Sequence, residues 1–524
     1  MMKTKNLFIC FICTVLCLFS FAGNSAAIDL FDGKLQLEGR WRSQVKMRAK
    51  GQETEVAHDY DFFNLRNSLK LEALWRVYEG PDYRLNVYSV WKNFYDAAAD
   101  VDSGYRNNLE EYNIGQRGVD AARNYETFRN ICRELYVEVT TDLFQIRLGK
   151  QIINWGETDI QRMTDMINPV DENGALSGPN PDWAELKRGL WMIRLFITPD
   201  GLPADMTFEL LVIPDYQANL SPPFGNNMTL NHGLLGAPYT APGEMMLAWD
   251  RDVPDNWDSP ELGLRIRGFS WGIDWTISYL YHRTRGQPLM KEYDFMPGGV
   301  PDFGAFGAFM MSKEFVTGVG RYQNDHDYPW QSTFGLTFNF PVERKIPIIP
   351  GTSLAFSGSV VRFEGIYEMG KENVRLGPYN GIWNKHVEND RIAGCLAWAS
   401  KIYIPKLTPW ARQEHLNSTT QLFMEWVPDK KRNDAIFPFV TYAKEQHHYT
   451  EITQTFWMEF WHGKITPGVY FSHKLQQGGG FIAPSVMLNP RNNWLITFSY
   501  TDYHDYNVSY DEKDYWFMEV SYDF

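Results

Sequence analysis

Histidine beside an acid or a hydroxyl is where nucleophilic or metal chemistry would begin in this chain. A hydrolase needs such a His within reach of Asp or Ser. His447-His448, His473 and His504-Asp505 offer the residue types, and Asp325-His326-Asp327 has the donors to hold a divalent ion in a loop. None of these spacings demands chemistry. The sequence has no Gly-x-Ser-x-Gly elbow, P-loop or His-Glu-x-x-His helix. No catalytic residue, metal site or cofactor is therefore assigned, and an enzyme is not expected. Cys10, Cys13 and Cys17 sit in the N-terminal apolar run, which leaves Cys132 and Cys395 on separate expected strands with no metal-ligand spacing.

The charged residues are more informative, because they fall on alternate positions. Arg40, Arg42, Arg66, Arg76, Arg147, Arg265 and Arg267 occupy polar faces, as do Glu134 and Glu138. Arg84, Arg194, Arg362, Glu38, Glu72, Glu209, Asp274, Glu425 and Glu459 do the same. Opposed charges around a pore set ion selectivity and a transverse field. The same residues also serve as cross-strand ion pairs that solvate an interior. Both readings stand for any single residue. As a set they require a wet or polar interior.

Strands must carry these residues. Leu69, Leu71, Ala73, Trp75 and Val77 alternate with Lys70, Glu72 and Arg76. Ile273, Trp275, Ile277, Tyr279 and Tyr281 alternate with Asp274, Thr276, Ser278 and His282. The same rhythm holds at 35–42, 134–139, 262–267 and 333–340, and Phe456, Met458 and Phe460 oppose Glu459. At the C-terminus, Trp516, Met518, Val520, Tyr522 and Phe524 form one face, and Tyr515, Glu519, Ser521 and Asp523 the other, broken by Phe517. The length suits a tilted membrane strand. In a soluble sandwich the apolar face would be a core, and in a barrel it faces lipid. Pattern alone does not separate the two.

Other features favour lipid. Lys3 and Lys5 precede an apolar run from Leu7 to Ala22 and the small residues Ser25-Ala26-Ala27, the pattern of a secretory leader cut near Ala27. The expected division is a signal peptide over 1–27 and a barrel over 28–524. Loss of the leader with its two lysines takes the formal charge from -14 to -16, which excludes nucleic acid as a natural partner. No later stretch has the roughly 18 consecutive apolar residues of a spanning helix. The 19 Trp and 28 Tyr suit the interfacial girdles of a barrel. A last strand ending in Phe524 resembles the signal read by the barrel-assembly machinery.

Tight turns are expected at 79–82, 141–142, 270–272 and 489–492, and long connections at 96–131, 154–188, 215–259 and 283–330. Short and long connections alternate in outer-membrane barrels. The expected fold is all-β: a single transmembrane antiparallel β-barrel of about 16–18 strands, an even number. Strand parity fails between about 364 and 430.

The segment from Gln145 to Arg188 is the most distinctive. It holds Gly149-Lys150-Gln151, then Asn154-Trp155-Gly156-Glu157, then Ile167-Asn168-Pro169, and a short helix-like Ala184-Glu185-Leu186-Lys187. A strand that ends this way and feeds a long loop is expected to fold into the lumen as a constriction. Its candidates are Arg147, Asn154, Trp155 and Glu157. The Gly-Lys-Gln and Trp-Gly-Glu strand end, the Ile-Asn-Pro, and Lys187-Arg188-Gly189-Leu190 resemble a group of Gram-negative outer-membrane proteins catalogued as a domain of unknown function. Its members are often encoded near RND-type exporters and lipoprotein-like proteins. The resemblance implies a β-barrel, periplasmic or RND-type transport partners, and traffic of hydrophobic or lipid-like compounds. It carries over no catalytic residue.

Two loops have apolar runs: Phe303, Phe306 and Phe309 in one, Leu234-Leu235 and Met245-Met246-Leu247 in the other. Such runs plug a mouth, receive an amphipathic molecule, or pack loop on loop. The expected function is a porin-like outer-membrane channel for small polar or amphipathic molecules. The alternative is export of hydrophobic compounds with periplasmic partners.

Overall fold

The structure is a computed structural model. It describes residues 28–49, 62–112, 116–125, 127–158, 162–171, 183–220, 257–285, 289–290, 326–327, 329–342, 345–348, 355–375, 385–404, 415–428, 434–435, 448–476, 478–504 and 514–524. The expected leader and its cut near Ala27 lie outside these residues, as do Phe303, Phe306, Phe309 and the 234–247 apolar run.

The barrel strands, in chain order, are β1 (Leu35–Arg48), β2 (Phe62–Glu79), β3 (Arg84–Asp96), β4 (Cys132–Thr140), β5 (Phe144–Gln151) and β6 (Leu190–Ile197). Then come β7 (Thr207–Ile213), β8 (Glu261–Ser270), β9 (Ile273–Arg283), β10 (Trp330–Val342), β11 (Ala355–Arg375) and β12 (Lys385–Tyr403). The last six are β13 (His415–Trp426), β14 (His448–Trp457), β15 (Ile465–Lys474), β16 (Gly480–Arg491), β17 (Trp494–His504) and β18 (Tyr515–Asp523). Each pairs antiparallel with the next. β18 returns to β1, from Arg40 opposite Asp523 to Arg48 opposite Tyr515. The sheet is therefore a closed barrel of 18 strands. Closure leaves no edge, so every wall strand has a hydrogen-bonded neighbour on both sides.

The alternation of apolar and polar residues becomes an outside and an inside. Leu69, Leu71, Trp75, Ile193, Leu264, Ile277, Phe334 and Leu336 are exposed on the outer face. In water such a belt would be costly, and against acyl chains it is the favourable surface, so the barrel crosses a membrane. Aromatics mark its two borders. Trp75, Tyr78, Tyr83, Trp271 and Trp461 lie at the end with short turns. Tyr95, Trp191, Tyr281, Trp426 and Trp516 lie at the end with long connections.

The connections alternate as expected, with three differences. The 97–131 connection, read as a polar loop, has four helices among its described residues: α1 (Ala98–Val101), α2 (Ser103–Tyr112), α3 (Gln116–Arg123) and α4 (Phe128–Ile131). Ala98, Ala99, Tyr105, Leu109, Val119 and Ala122 give them a small core of their own. Asp102 Oδ1 accepts the N–H of Tyr105 at 3.0 Å and so helps start α2. β16 continues through Arg491, so the turn expected at 489–492 is at 492–493. β14 ends at Trp457, and only a bridge joins Phe460 to Ile465.

The parity failure also has a cause. β11 and β12 are single strands whose register shifts at Ser357/Val360 and again at Glu368/Lys371. The second shift lies within the stretch where parity fails and disturbs the side-to-side rhythm there.

Candidate functional site: the lumen segment between β5 and β6

The lumen face of β1–β9 is built of opposed charges. Glu138 accepts from Arg147 at 2.7 Å, and Arg147 stands directly opposite Arg194 on β6. Arg194 turns to Glu209 on β7, and Glu209 also binds Arg265 on β8, each through Nε at 2.7 Å. Arg66 pairs with Asp96 at 3.3 Å, and Arg42 with Glu519 across the closing seam at 3.4 Å.

Into this interior fold the described parts of the connection between β5 and β6 (152–189), residues 152–158, 162–171 and 183–189. Its two ends are clamped together. Asn168 Oδ1 accepts the N–H of Ile153 at 2.7 Å, and its Nδ2 donates to the carbonyls of Gln151 at 3.0 Å and Arg188 at 2.9 Å. Lys187, buried, donates to the Ile153 carbonyl at 3.0 Å and pairs with Asp165 and Asn154. The Asn in Ile-Asn-Pro and the Lys in Lys-Arg-Gly-Leu thus share one task, closing the neck of the loop.

Two glycines let the neck sit close to β4. Gly149 has φ +138°, a conformation that side chains rarely adopt, and a Cβ there would meet the Leu135 carbonyl at 2.3 Å. A Cβ on Gly189 would meet the Arg133 carbonyl oxygen at 2.0 Å, and backbone does not yield as a side chain does. Gly189→Ala is therefore expected to cost about 2 kcal/mol. Urea unfolding of the refolded barrel checks this, and an unchanged midpoint would contradict it.

Beyond the neck the segment crosses the lumen. Trp155 donates its indole N–H to Glu209 at 3.2 Å, with the ring 5.3 Å from the Arg265 guanidinium. Ile153, Trp155 and Ile167 pack on the inward residues Leu190, Met192, Leu211, Ile213 and Leu280. Further on, Glu364 of β11 accepts from the N–H groups of Glu157, Thr158 and Thr164 at 2.8, 2.9 and 2.6 Å. The Thr164 hydroxyl adds a bond at 2.8 Å. Arg362, two residues before, donates to the Glu157 carbonyl at 2.9 Å. Met163 packs against Ile366, Ala393, Cys395 and Phe423 of β11–β13.

The returning limb carries α5 (Trp183–Leu186), one residue displaced from the expected helix-like turn. Glu185 on α5 meets Lys70 of β2 at 3.0 Å and Lys92 of β3 at 2.8 Å. Arg133 of β4 donates to its carbonyl at 2.9 Å. Burial pushes the Glu185 carboxyl up, but Lys92, Lys70 and Arg42 outweigh it and hold the group well below the usual carboxylate range. The segment thus holds β2 and β11, nine strands apart in a ring of 18, which are opposite walls.

Of the residues expected at a constriction, Arg147 stands on the β5 wall opposite Arg194, Asn154, Trp155 and Glu157 lie on the segment, and Arg265 touches it through Trp155. Glu134 touches the segment too, accepting the Ile152 N–H at 3.1 Å. Glu138 holds Arg147. Arg66 lies toward the long-connection end, held by Asp96, and Arg42 lies on the closing seam. Arg40 sits at the short-turn end, bidentate to Asp523. Arg76 is near the same end, bonded to Gly33 and Gln36, and Arg267 there is exposed. The set therefore spans the height of the barrel and does not form one ring.

Glu364, Lys92 and Glu185 were not singled out from sequence as site residues. Glu364 falls where strand parity fails. The alternation that puts Lys70 inside would have put Lys92 inside as well, but not beside a loop carboxylate.

A family model described as a protein of unknown function (DUF1302) matches residues 11–524. No curated protein matches. Among solved structures, OccAB1 of Acinetobacter baumannii aligns over 96% of this chain and 99% of its own, at 8% identity and TM-score 0.49. OpdK of Pseudomonas aeruginosa, solved with vanillate, aligns over 94% and 98% at 8% identity and TM-score 0.47. OmpF of Salmonella typhi, solved with daunomycin, aligns over 95% and 100% at 8% identity and TM-score 0.41. At that identity these are likenesses in chain course alone. Matched over nearly its whole length, this 18-stranded barrel belongs to the DUF1302 family of proteins of unknown function.

Proposed function

We propose that the protein is a porin-like channel of the bacterial outer membrane that passes small polar or amphipathic molecules, with segment 152–189 as its constriction. One observation carries this reading: a charged loop, clamped at its neck, is tied to opposite walls of a barrel lined with opposed charges. A segment so held narrows the lumen and fixes the charges a solute must pass. The reading assigns no catalytic residue. It puts the long connections outside the cell and the short turns in the periplasm. It includes secretion through a leader cut near Ala27 and assembly through the strand that ends at Phe524.

Planar bilayers test it. The refolded mature protein is expected to give stable single-channel current, and Glu157→Lys and Arg147→Glu to shift the ion selectivity in opposite directions. A barrel that is folded by its heat-modifiable migration on gels yet electrically silent overturns the channel.

A second reading is export of hydrophobic or lipid-like compounds with periplasmic or RND-type partners. It rests on the resemblance carried by the Trp-Gly-Glu and Lys-Arg-Gly-Leu motifs; the inward apolar residues Leu190, Met192, Leu211, Ile213 and Leu280 are already covered by Ile153, Trp155 and Ile167 of the segment. Silence in the bilayer, with lipid export lost on deletion, would move the assignment there.

A further inference from the structure

Lys70 and Lys92 stand directly opposite each other on β2 and β3, and Arg40 stands opposite Lys70 on β1. Like charges in direct cross-strand register destabilise a sheet. The sheet itself gains nothing from this row, and the wall strands supply only part of its counter-charge. Asp523 takes Arg40 at the rim, and Glu72 lies 2.9 Å from Lys70. Lys92 meets its carboxylate from elsewhere in the chain, at Glu185.

The manner of that contact is specific. The two Glu185 oxygens are divided between the two ammonium groups, Oε1 to Lys70 at 3.0 Å and Oε2 to Lys92 at 2.8 Å. Arg133 and Lys92 also reach the Glu185 carbonyl, at 2.9 and 3.3 Å. The wall thus offers a preformed cradle for one carboxylate, and the loop fills it. At the neck the loop is built otherwise: its own Asp165 is neutralised by its own Lys187. Among the described residues of the loop, only Glu185 has its carboxylate divided between a pair of wall lysines.

We propose that Lys70 and Lys92 form a carboxylate-binding site on the lumen wall whose built-in occupant is Glu185, and that a small organic carboxylate competes with Glu185 and frees the returning limb of the segment. The inference rests on the channel reading for the solute's access to the lumen, but binding and release do not require current. It makes the transported class anionic, and it makes the solute itself the agent that loosens the constriction. Competition of this kind is reciprocal: whatever frees Glu185 raises affinity for the carboxylate.

Hydrogen exchange on the refolded barrel in detergent tests it. Sodium benzoate is titrated at constant ionic strength against sodium chloride, with neutral benzamide as control. Benzoate is expected to speed amide exchange over 183–189 about fivefold at saturation, the low end of typical coupling between two sites. Glu185→Gln is expected to exchange fast without benzoate and to ignore it. Lys92→Gln is expected to lose the benzoate response. If benzoate acts no more than chloride or benzamide, or if Glu185→Gln keeps the full response, the proposal is overturned. Bilayer current is read separately. A silent barrel that answers benzoate keeps this inference and loses the channel, and a conducting barrel that ignores benzoate does the reverse.

Discussion

Glu364→Gln is expected to release the far limb of the lumen segment while leaving the barrel closed. The carboxylate of Glu364 is 1% exposed and accepts four hydrogen bonds, three of them from backbone N–H groups of the segment. Glutamine keeps the shape but turns an NH2 toward donors, so buried N–H groups lose their acceptor. A hydrogen bond to a charged group contributes about 1.5–3 kcal/mol. Some of the loss is recovered as the loop moves toward water, which leaves about 3 kcal/mol. That is about 100-fold in the protection of the amides at 157, 158 and 164 against exchange. The wall strands hold their own ladder, so their exchange is expected to stay slow. If those three amides exchange at the wild-type rate in the variant, Glu364 is not what holds the limb. In bilayers the same variant is expected to show larger and noisier current, because the constriction loses one of its two walls.

Glu209→Ala has a larger expected effect, and on a different quantity. Glu209 is 1% exposed between Arg194 and Arg265, with the Trp155 indole as a third donor. Removing it leaves two buried guanidinium groups facing each other, with Arg147 opposite Arg194 behind them. Breaking one partner out of a buried charge cluster costs about 3–5 kcal/mol. The loss is expected in the barrel itself, as a lower urea midpoint and a lower temperature for the gel-mobility change. A double change that replaces Glu209 and Arg265 by Gln and Met is expected to recover part of it, since one of the two guanidinium charges that Glu209 compensated is then removed and only Arg194 remains. A midpoint within error of wild type for Glu209→Ala would show that water reaches the cluster and that it is not a buried network.

The two changes separate the roles of the lumen charges. Glu209 joins wall to wall, and Glu364 joins wall to loop. Sequence spacing puts Glu209 on an inward face, whereas Glu364 falls where strand parity fails, and neither residue type nor spacing tells their roles apart. What differs is the partner, and the partner of Glu364 is backbone from a stretch some two hundred positions earlier in the chain. Backbone partners leave no trace in residue type.

The motif that set this chain apart has a comparable explanation. Asn154, Trp155 and Glu157 each mark a fixed point of the segment: Lys187 at the neck, Glu209 on the near wall, Glu364 on the far wall. Of these, Trp155 uses its side chain toward the wall and Glu157 its main chain. Charge at Glu157 therefore remains available to the lumen, which is why its reversal belongs to the conductance test and not to a stability test.

Period-2 patterning determined most of the architecture by itself. A strand whose alternate residues are apolar and charged can bury only one set, so the face of each residue follows from its number. Long connections followed from their composition, and the expected leader and the aromatic load favoured lipid over a soluble core. Only the tertiary structure decided the rest. The closure of β1 on β18 fixed the count at 18. The second register shift in β11 lies where parity failed. The helices in 97–131 came from a small local core that a polar composition hides. The ties of 152–158, 162–171 and 183–189 to opposite walls depended on which charges stand at the same height on strands far apart in the chain. Height in a barrel depends on tilt and stagger summed over many strand pairs, and no local spacing carries that sum.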